Sequence, residues 1–244
     1  MVPKIIHYCW LSGDPIPEKL QKCMDSWKKL LPDYEFWLWD KQRFDIHSVK
    51  WVEQAYNAKK YAFSSDYIRL YAIYHYGGIY MDMDMEVIKP FDMTQFVEGL
   101  NWGLDEGGDI EAAYVAGTPG HPILKEMMEA YEKMSFVNED GSMNLTVANV
   151  YVQNYLKNLG YVKEPKMQVI ADGTVKLFTA DYFNCRSLLT GKLILSENSC
   201  CIHWHTVLWA SPMTKFIGWL RMKVLIPILG INNYTKIQKL FNRI

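Results

Sequence analysis

Three carboxylates alternate with methionine in residues 80–86, and they are the groups in this chain best suited to chemistry. Side chains of a strand alternate between two faces, so Tyr80, Asp82, Asp84 and Glu86 would share one face and the methionines the other. An exposed acidic edge strand is one interpretation, but the methionine face predicts burial. Buried carboxylates need a cation, and hard oxygen ligands favour Mn²⁺ or Mg²⁺ over Zn²⁺.

A divalent cation held there would suit reactions of nucleotide-activated substrates. A nucleoside diphosphate leaves easily only when the charge that develops on its phosphates is neutralised, and a bridging metal ion does this as a Lewis acid. The carboxylate segment therefore predicts a metal-assisted transfer site.

The elements that must position these carboxylates begin with a β-α-β unit. Residues 4–10 are predicted as a buried strand, Pro17 as the start of a helix that ends before Pro32, and residues 35–39 as a second strand. This unit is typical of a parallel sheet, whose loops gather at the strand ends.

A helical pattern then leads into the carboxylate segment. It covers residues 49–76, with a new start predicted at Ser64–Ser65, where a serine can cap a first turn. Gly77–Gly78 ends the helix, and residues 79–87 are predicted to form one continuous strand. Further strands are predicted at residues 102–104, 112–116, 175–178 and 193–203, and further helices at 121–134 and 147–159.

Composition narrows the class of protein. The 244 residues are 50% hydrophobic, enough for one large α/β catalytic domain. A net charge of -1 argues against a nucleic-acid partner. Five cysteines without a CxxC pair favour a reducing, cytoplasmic setting, and no charged and apolar leader precedes the first strand, which predicts neither a signal peptide nor an N-terminal anchor.

The run SSDYIRLYAIYHYGGIYMDMDMEV, residues 64–87, resembles the sugar-binding segment of the DXD glycosyltransferases. That family includes the initiating fungal α-1,6-mannosyltransferase, the α-1,4-galactosyltransferases and many bacterial capsule enzymes. Serine-aspartate, arginine, glycine pair and DXD all fall at the family's spacing, and the similarity extends from PKIIHYCWLSG to IHWHTVLW.

The resemblance implies an α/β fold of GT-A type, Rossmann-like, with a mostly parallel central sheet flanked by helices. It implies a nucleotide-sugar donor, with a UDP-sugar favoured over a GDP-sugar, Mn²⁺ or Mg²⁺ as cofactor, and retention of anomeric configuration. The expected reaction transfers a hexose or N-acetylhexosamine to a glycan or lipid-linked glycan acceptor in polysaccharide biosynthesis.

Carried onto this sequence, the resemblance makes Asp84 a direct metal ligand. Asp82 would contact the donor ribose, and the metal through water. Asp66 and Arg69 would contact the donor sugar, and Tyr80 belongs to the same donor site. An ordinary intrahelical ion pair between residues three apart would also explain Asp66 and Arg69.

The ends of two other predicted strands supply the remaining candidates. Trp10 would stack on the nucleobase, because ligands of α/β proteins bind where strands meet their loops, although a core position is the alternative. His203 and His205, two residues apart, are predicted to lie on one face of the late strand. His203 is chosen as the extra metal ligand, and Trp209 as a contact to the donor phosphates.

Two other classes of protein remain as alternatives. A phosphatase of the haloacid-dehalogenase type would use Asp82 as its nucleophile, but its motif normally lies near the N-terminus, with Thr or Val where this chain has Glu86. A degenerate, non-catalytic sugar-binding protein is the other alternative. The intact set of Asp66, Arg69, Asp82 and Asp84 argues against it.

The C-terminal segment has its own pattern. No acidic residue follows Glu197, whereas six basic residues do. Residues 216–231 are apolar and shorter than the roughly 20 residues that a spanning helix needs. Within residues 233–244, an apolar face opposes a basic one; these faces comprise Ile237, Leu240, Phe241 and Ile244 against Lys236, Lys239 and Arg243. We expect a catalytic domain at 1–212 and, at 213–244, a basic helical appendage. It would either contact the inner face of a membrane peripherally or dock on the catalytic domain.

Overall fold

The computed structural model of the chain describes residues 1–206, 212–231 and 233–234. Its strands are β1 (Ile5–Cys9), β2 (Glu35–Trp39), β3 (Gly78–Met81), β4 (Met85–Val87), β5 (Leu100–Leu104), β6 (Ile110–Gly117), β7 (Gln168–Ile170), β8 (Val175–Phe178) and β9 (Cys201–His203). Its helices are α1 (Glu18–Leu30), α2 (Lys50–Asn57), α3 (Tyr61–Tyr76), α4 (Pro122–Lys133), α5 (Ala148–Lys157), α6 (Ala180–Phe183), α7 (Pro212–Leu220) and α8 (Ile226–Leu229).

The central sheet has seven strands in the order β2-β1-β3-β6-β5-β8-β7, while β4 and β9 form a separate two-stranded ribbon. Parallel pairing joins β2 to β1, β1 to β3 and β5 to β8, and the other pairs in the central sheet are antiparallel. Only β6 and β7 therefore run against the common direction in this sheet. The predicted α/β class, with a mostly parallel sheet between helices, is confirmed.

Helices cover the two faces of the central sheet through two separate cores. On one face, α2, α3, α4 and α5 pack over Tyr80, Trp102 and Val115. On the other face α1 packs through Leu20, Met24 and Trp27 against Ile6, Ile79 and Met81. The strand β3, which leads to the DXD motif, is thus buried from both sides.

The long helix predicted before the glycine pair is interrupted, but not at the predicted place. The break lies between α2 and α3, where Lys59 has a positive φ of 57°. The cap predicted at Ser64–Ser65 is wrong, because both serines lie within α3 and their hydroxyls serve other carbonyls. Ser64 Oγ donates to the Val52 carbonyl at 3.1 Å and Ser65 Oγ to that of Ala62 at 2.7 Å.

The glycine pair allows α3 to pass directly into β3. Gly77 and Gly78 have φ values of 64° and 98°, which residues with a side chain rarely adopt. A Cβ on Gly78 would stand 2.6 Å from the carbonyl oxygen of Ile5 on the neighbouring strand. Glycine is therefore required where β3 joins β1.

The continuous strand predicted for residues 79–87 is also wrong, because the chain turns at the DXD motif. The strand β3 ends at Met81, and the amide of Met85 donates to the Asp82 carbonyl at 3.0 Å, which closes the turn. The chain then leaves the central sheet and continues as β4 in the ribbon. Of the strand predicted for residues 193–203, only Cys201–His203 is strand.

The C-terminal helices α7 and α8 are joined by a π-helical turn, Arg221–Leu225. Among the helices that the structure describes, none has both the length and the apolar character needed to cross a membrane. The amphipathic pattern of residues 235–244 lies outside the described residues, and the domain boundary at residue 212 stays a prediction.

Candidate active site

The turn after β3 holds Asp82 and Asp84 in different surroundings. Asp82 keeps 34% of its side chain exposed and accepts a hydrogen bond from the Tyr80 hydroxyl at 3.0 Å. Asp84 is buried, and its Oδ2 accepts from the amide and the hydroxyl of Thr206 at 2.6 and 2.8 Å. Thr206 thus fixes the orientation of the Asp84 carboxylate, whose Oδ1 is directed to His203.

His203 completes a group of three potential metal ligands. It lies on β9 opposite Met85 of β4, and its Nε2 is 3.3 Å from Asp84 Oδ1. One potential ligand atom from each of Asp82, Asp84 and His203 lies within 4.8 Å of the others. The ribbon therefore brings a residue more than a hundred positions away along the chain to the DXD turn.

The three ionisable side chains of this group have shifted pKa values. Burial disfavours the charged imidazole, yet Asp84 and Glu111 raise the pKa of His203 well above its usual value. Burial likewise opposes ionisation of Asp84, but His203 and Thr206 hold the pKa of that carboxyl well below its usual range. Burial raises the pKa of Asp82, which Arg69 opposes and Asp84 reinforces.

The donor set fits a divalent cation. Two carboxylates and one imidazole converge, and the Nε2 of His203 is the ring nitrogen on the side of Asp84. Carboxylate oxygens suit Mg²⁺ and Mn²⁺, whereas imidazole is a softer ligand. Such a mixed set fits Mn²⁺ better than Mg²⁺.

Arg69 of α3 connects this turn to Asp66. Its Nη2 lies 3.0 Å from Asp66 Oδ1 and 3.7 Å from Asp82 Oδ1, and its guanidinium stacks over the Tyr80 ring at 4.8 Å. A further guanidinium nitrogen donates to the Ala112 carbonyl. Arg69 and Asp66 therefore form the intrahelical ion pair, and Arg69 also connects this pair to Asp82 of the DXD turn. Burial raises the pKa of Asp66 to about 7, although Arg69 opposes the shift.

Trp10 follows β1, whose carboxyl end lies beside that of β3 in parallel register. Its side chain is partly exposed and packs against the core cluster to which α1 contributes Leu20, Met24 and Trp27. The indole Nε1 donates to the Asp14 carbonyl at 2.7 Å, which orients the ring. Stacking on a nucleobase stays a prediction.

The two histidines of the predicted late strand have different surroundings. The strand ends at His203, so the prediction that both lie on one strand face is wrong. His205 has a positive φ of 51°, and its Nε2 lies 3.3 Å from the Arg186 carbonyl oxygen. His203 alone joins Asp82 and Asp84, whereas His205 groups with His203 and Glu111. Trp209, predicted to contact the donor phosphates, lies outside the described residues.

Sequence reasoning missed two residues of this site. Thr206 gives only a weak signal, a hydroxyl three positions after His203. Glu111 gives a clearer one, because it is a carboxylate inside the otherwise apolar strand IEAAYVAG of β6. An ionisable group within a buried strand indicates a partner elsewhere in the fold.

Comparison with known proteins shows which proteins this chain is similar to. Residues 17–101 match the family described as the glycosyltransferase sugar-binding region containing a DXD motif. Mannosyl phosphorylinositol ceramide synthase CSH1 of Saccharomyces cerevisiae is 36% identical over 198 residues, which are 75% of this chain and 51% of that protein. Inositol phosphoceramide mannosyltransferase 1 of Schizosaccharomyces pombe is 27% identical over 141 residues, 55% of this chain and 44% of that protein. The chain spans about half the length of these relatives.

The fold has solved counterparts. The PaToxG glycosyltransferase superposes with a TM-score of 0.50 at 22% identity, covering 64% of this chain and 69% of that one. The predicted GT-A type of fold is therefore confirmed, and so is the resemblance of the sequence to the DXD glycosyltransferases. Residues 17–101 of this chain are thus similar to the DXD sugar-binding region of glycosyltransferases.

Proposed function

We propose that this protein is a metal-dependent, retaining glycosyltransferase. It transfers a hexose or N-acetylhexosamine from a nucleoside-diphosphate sugar, with UDP favoured over GDP, to a glycan or lipid-linked glycan acceptor in polysaccharide synthesis. The observation that carries the proposal is the convergence of His203 with Asp82 and Asp84, two residues of the region that matches the sugar-binding family. Relatives named for mannosyl transfer to inositol phosphoceramide support a hexose and a lipid-linked acceptor.

In this proposal each residue has a defined task. Asp84 and His203 would hold Mn²⁺ or Mg²⁺, with Asp82 beside them. A cation bound there would supply positive charge to neutralise the departing diphosphate. Asp66 and Arg69 face the donor sugar, and Arg69 also holds Asp82 in place through their 3.7 Å contact. Tyr80 orients the Asp82 carboxylate toward the donor ribose.

A thermal-shift panel of nucleoside diphosphates with and without Mn²⁺ tests the proposal. We expect one diphosphate, UDP first, to raise the melting temperature only when Mn²⁺ is present. A ligand at about 100 times its dissociation constant stabilises by about 2.7 kcal/mol. That nucleotide's sugar derivatives should then be consumed in an acceptor-dependent way.

The alternatives predict different outcomes of the same experiments. A phosphatase would hydrolyse a general substrate such as p-nitrophenyl phosphate and lose this activity in Asp82→Asn. A sugar-binding protein would bind the donor and never consume it. Either result, or a melting temperature unmoved by every diphosphate with Mn²⁺, would refute the transferase.

Replacing Trp10 with alanine is expected to weaken nucleoside diphosphate binding by about 1–3 kcal/mol, the usual contribution of one stacked base. The fold should persist, because the ring is only partly buried. Calorimetric titration of wild type, Trp10→Ala and Trp10→Phe measures the effect, and phenylalanine should restore part of the affinity. Unchanged affinity with a lowered melting temperature would assign Trp10 to the core instead.

We further propose that the segment 213–244 holds the enzyme peripherally at the cytoplasmic face of a membrane. Four described apolar side chains of α7 are each more than half exposed, and these are Met213, Phe216, Ile217 and Trp219. Arg221 and Lys223 follow them, and no acidic residue lies anywhere beyond Glu197. Apolar groups next to uncompensated positive charge complement an anionic lipid surface.

The loop before β9 extends this surface. Arg221 Nη2 donates to the Leu188 carbonyl at 2.8 Å, which ties the π-helical turn to that loop. Leu193 and Leu195 of the same loop are 46% and 55% exposed. The apolar area therefore continues from the C-terminal helices onto the domain that carries the DXD turn.

The double substitution Phe216→Glu with Trp219→Glu is expected to abolish flotation with phosphatidylserine vesicles at low salt. Each basic side chain near an anionic surface contributes about 1 kcal/mol, and the substitution adds repulsion while removing apolar contact. Val169→Glu is the matched control, because Val169 is 57% exposed on β7. If the full-length protein does not float with these vesicles at low salt, the segment has a structural role only.

A further inference from the structure

Glu111 is a buried carboxylate that has no role in the reaction proposed above. It lies on β6 with 8% of its surface exposed. Its Oε1 accepts from the amide of Ala113 at 3.1 Å, and its Oε2 accepts from Asn184 Nδ2 at 3.2 Å. The carboxylate is therefore held in a fixed orientation from two sides.

The charged group that faces Glu111 is His203. The Nδ1 of His203 lies 3.7 Å from Glu111 Oε2, whereas its Nε2 lies 3.3 Å from Asp84 Oδ1. The imidazole thus stands between two carboxylates, with one nitrogen directed to each. Its Nδ1 is buried with no partner within hydrogen-bond distance among the described residues, and the Glu111 carboxylate faces it as the acceptor for its N–H.

A histidine that binds a metal through one nitrogen usually donates the other N–H to a carboxylate, a carbonyl or water. This partner selects the tautomer and fixes the ring orientation. Asp84, His203 and Glu111 form a buried carboxylate–histidine–carboxylate arrangement of this kind. Asp84 lies on the side of the metal site, and Glu111 lies on the opposite side of the imidazole, where it can orient the ring.

We propose that Glu111 is a positioning residue of the metal site, which keeps a proton on Nδ1 of His203 and leaves Nε2, on the side of Asp84, as the nitrogen that would give up its proton to bind the cation. The inference rests on the proposed function, because it requires a cation at these residues. Glu111 itself stays outside the ligand set and acts through His203. Its position on β6 places the orienting group on the central sheet, while His203 comes from the ribbon.

Manganese binding to Glu111→Gln tests this role without any turnover assay. Titration of Mn²⁺ alone, followed by the electron paramagnetic resonance of the free ion, should show affinity about 10- to 100-fold weaker than wild type. Glu106→Gln is the matched control and should bind as wild type does. Glu106 lies between β5 and β6 and accepts from Ser187 Oγ at 2.8 Å, apart from the three metal-site residues.

The outcomes separate the two proposals. If wild type binds no Mn²⁺, the metal site is refuted and the role of Glu111 with it. If wild type binds Mn²⁺ and a folded Glu111→Gln binds it equally well, only the role of Glu111 is overturned.

A second measurement needs no variant and covers the case in which Glu111→Gln fails to fold. Nitrogen-15 spectra of the wild-type histidines with diamagnetic Cd²⁺ in place of Mn²⁺ report which ring nitrogen carries the proton. We expect His203 to carry it on Nδ1. A proton on Nε2 of His203 in the Cd²⁺-loaded protein would overturn the proposal.

Discussion

Asp84→Asn is expected to abolish metal-dependent turnover of the sugar donor, with a loss of at least about a thousandfold. One direct carboxylate ligand and its charge disappear, and a loss of about 4 kcal/mol in transition-state stabilisation corresponds to this factor. The fold should survive, because an asparagine oxygen can still accept from Thr206, which donates to Asp84 Oδ2 at 2.6 and 2.8 Å. Initial rates of donor hydrolysis across a Mn²⁺ titration measure the effect.

Glu86→Gln provides the matched comparison. Glu86 belongs to β4, two residues beyond Asp84, and accepts from the indole of Trp204 at 2.9 Å rather than joining the ligand group. This variant should keep most of the activity. Undiminished turnover by the wild type in EDTA would contradict the metal mechanism altogether.

Arg69→Met is expected to lower the free energy of unfolding by about 3–5 kcal/mol, as the removal of one partner from a buried ion pair commonly does. The guanidinium is buried and serves Asp66, Asp82 and the carbonyl of Ala112. Without it, two carboxylates and a carbonyl lose their positive partner together. Urea unfolding followed by circular dichroism measures this loss.

A double-mutant cycle with Asp66→Asn shows whether the ion pair is the cause. Removing both charges leaves no unpaired carboxylate at residue 66, so the double variant should lose less stability than the sum of the single variants. Strictly additive losses would mean that Arg69 acts through packing on Tyr80 and not through the charge of Asp66. Donor turnover should be low in each variant that lacks Arg69.

Local patterns predicted the elements that feed the site, and non-local contacts decided the rest. The strands at Glu35–Trp39 and Val175–Phe178 have the predicted bounds, because apolar runs between turn residues mark them. The turn at the DXD motif has no such local mark. It depends on the Asp82 amide, which donates to the Ala113 carbonyl at 2.9 Å, and on β9, which pairs with β4.

The site residues also divide into those that a local sequence pattern predicts and those that depend on non-local contacts. Asp66, Arg69, Asp82 and Asp84 occupy one segment, so their spacing could be recognised in the sequence. His203 was chosen from a histidine pair, and the structure brings it to Asp84. Glu111 and Thr206 were missed because their roles depend on strand pairing between distant segments, which no local pattern encodes.

The ribbon of β4 and β9 pairs only three residues on each strand. A two-stranded ribbon of this size is marginal by itself, and here α1 supports it. Trp27 Nε1 donates to the Met85 carbonyl at 2.6 Å, and the Val87 amide donates to Ser26 Oγ at 2.9 Å. An opened ribbon would separate His203 from Asp84, so the apparent affinity of the proposed metal site would scale with the closed fraction. Substitutions at Ser26 or Trp27, which lie outside the candidate ligand group, would therefore weaken metal binding by lowering that fraction.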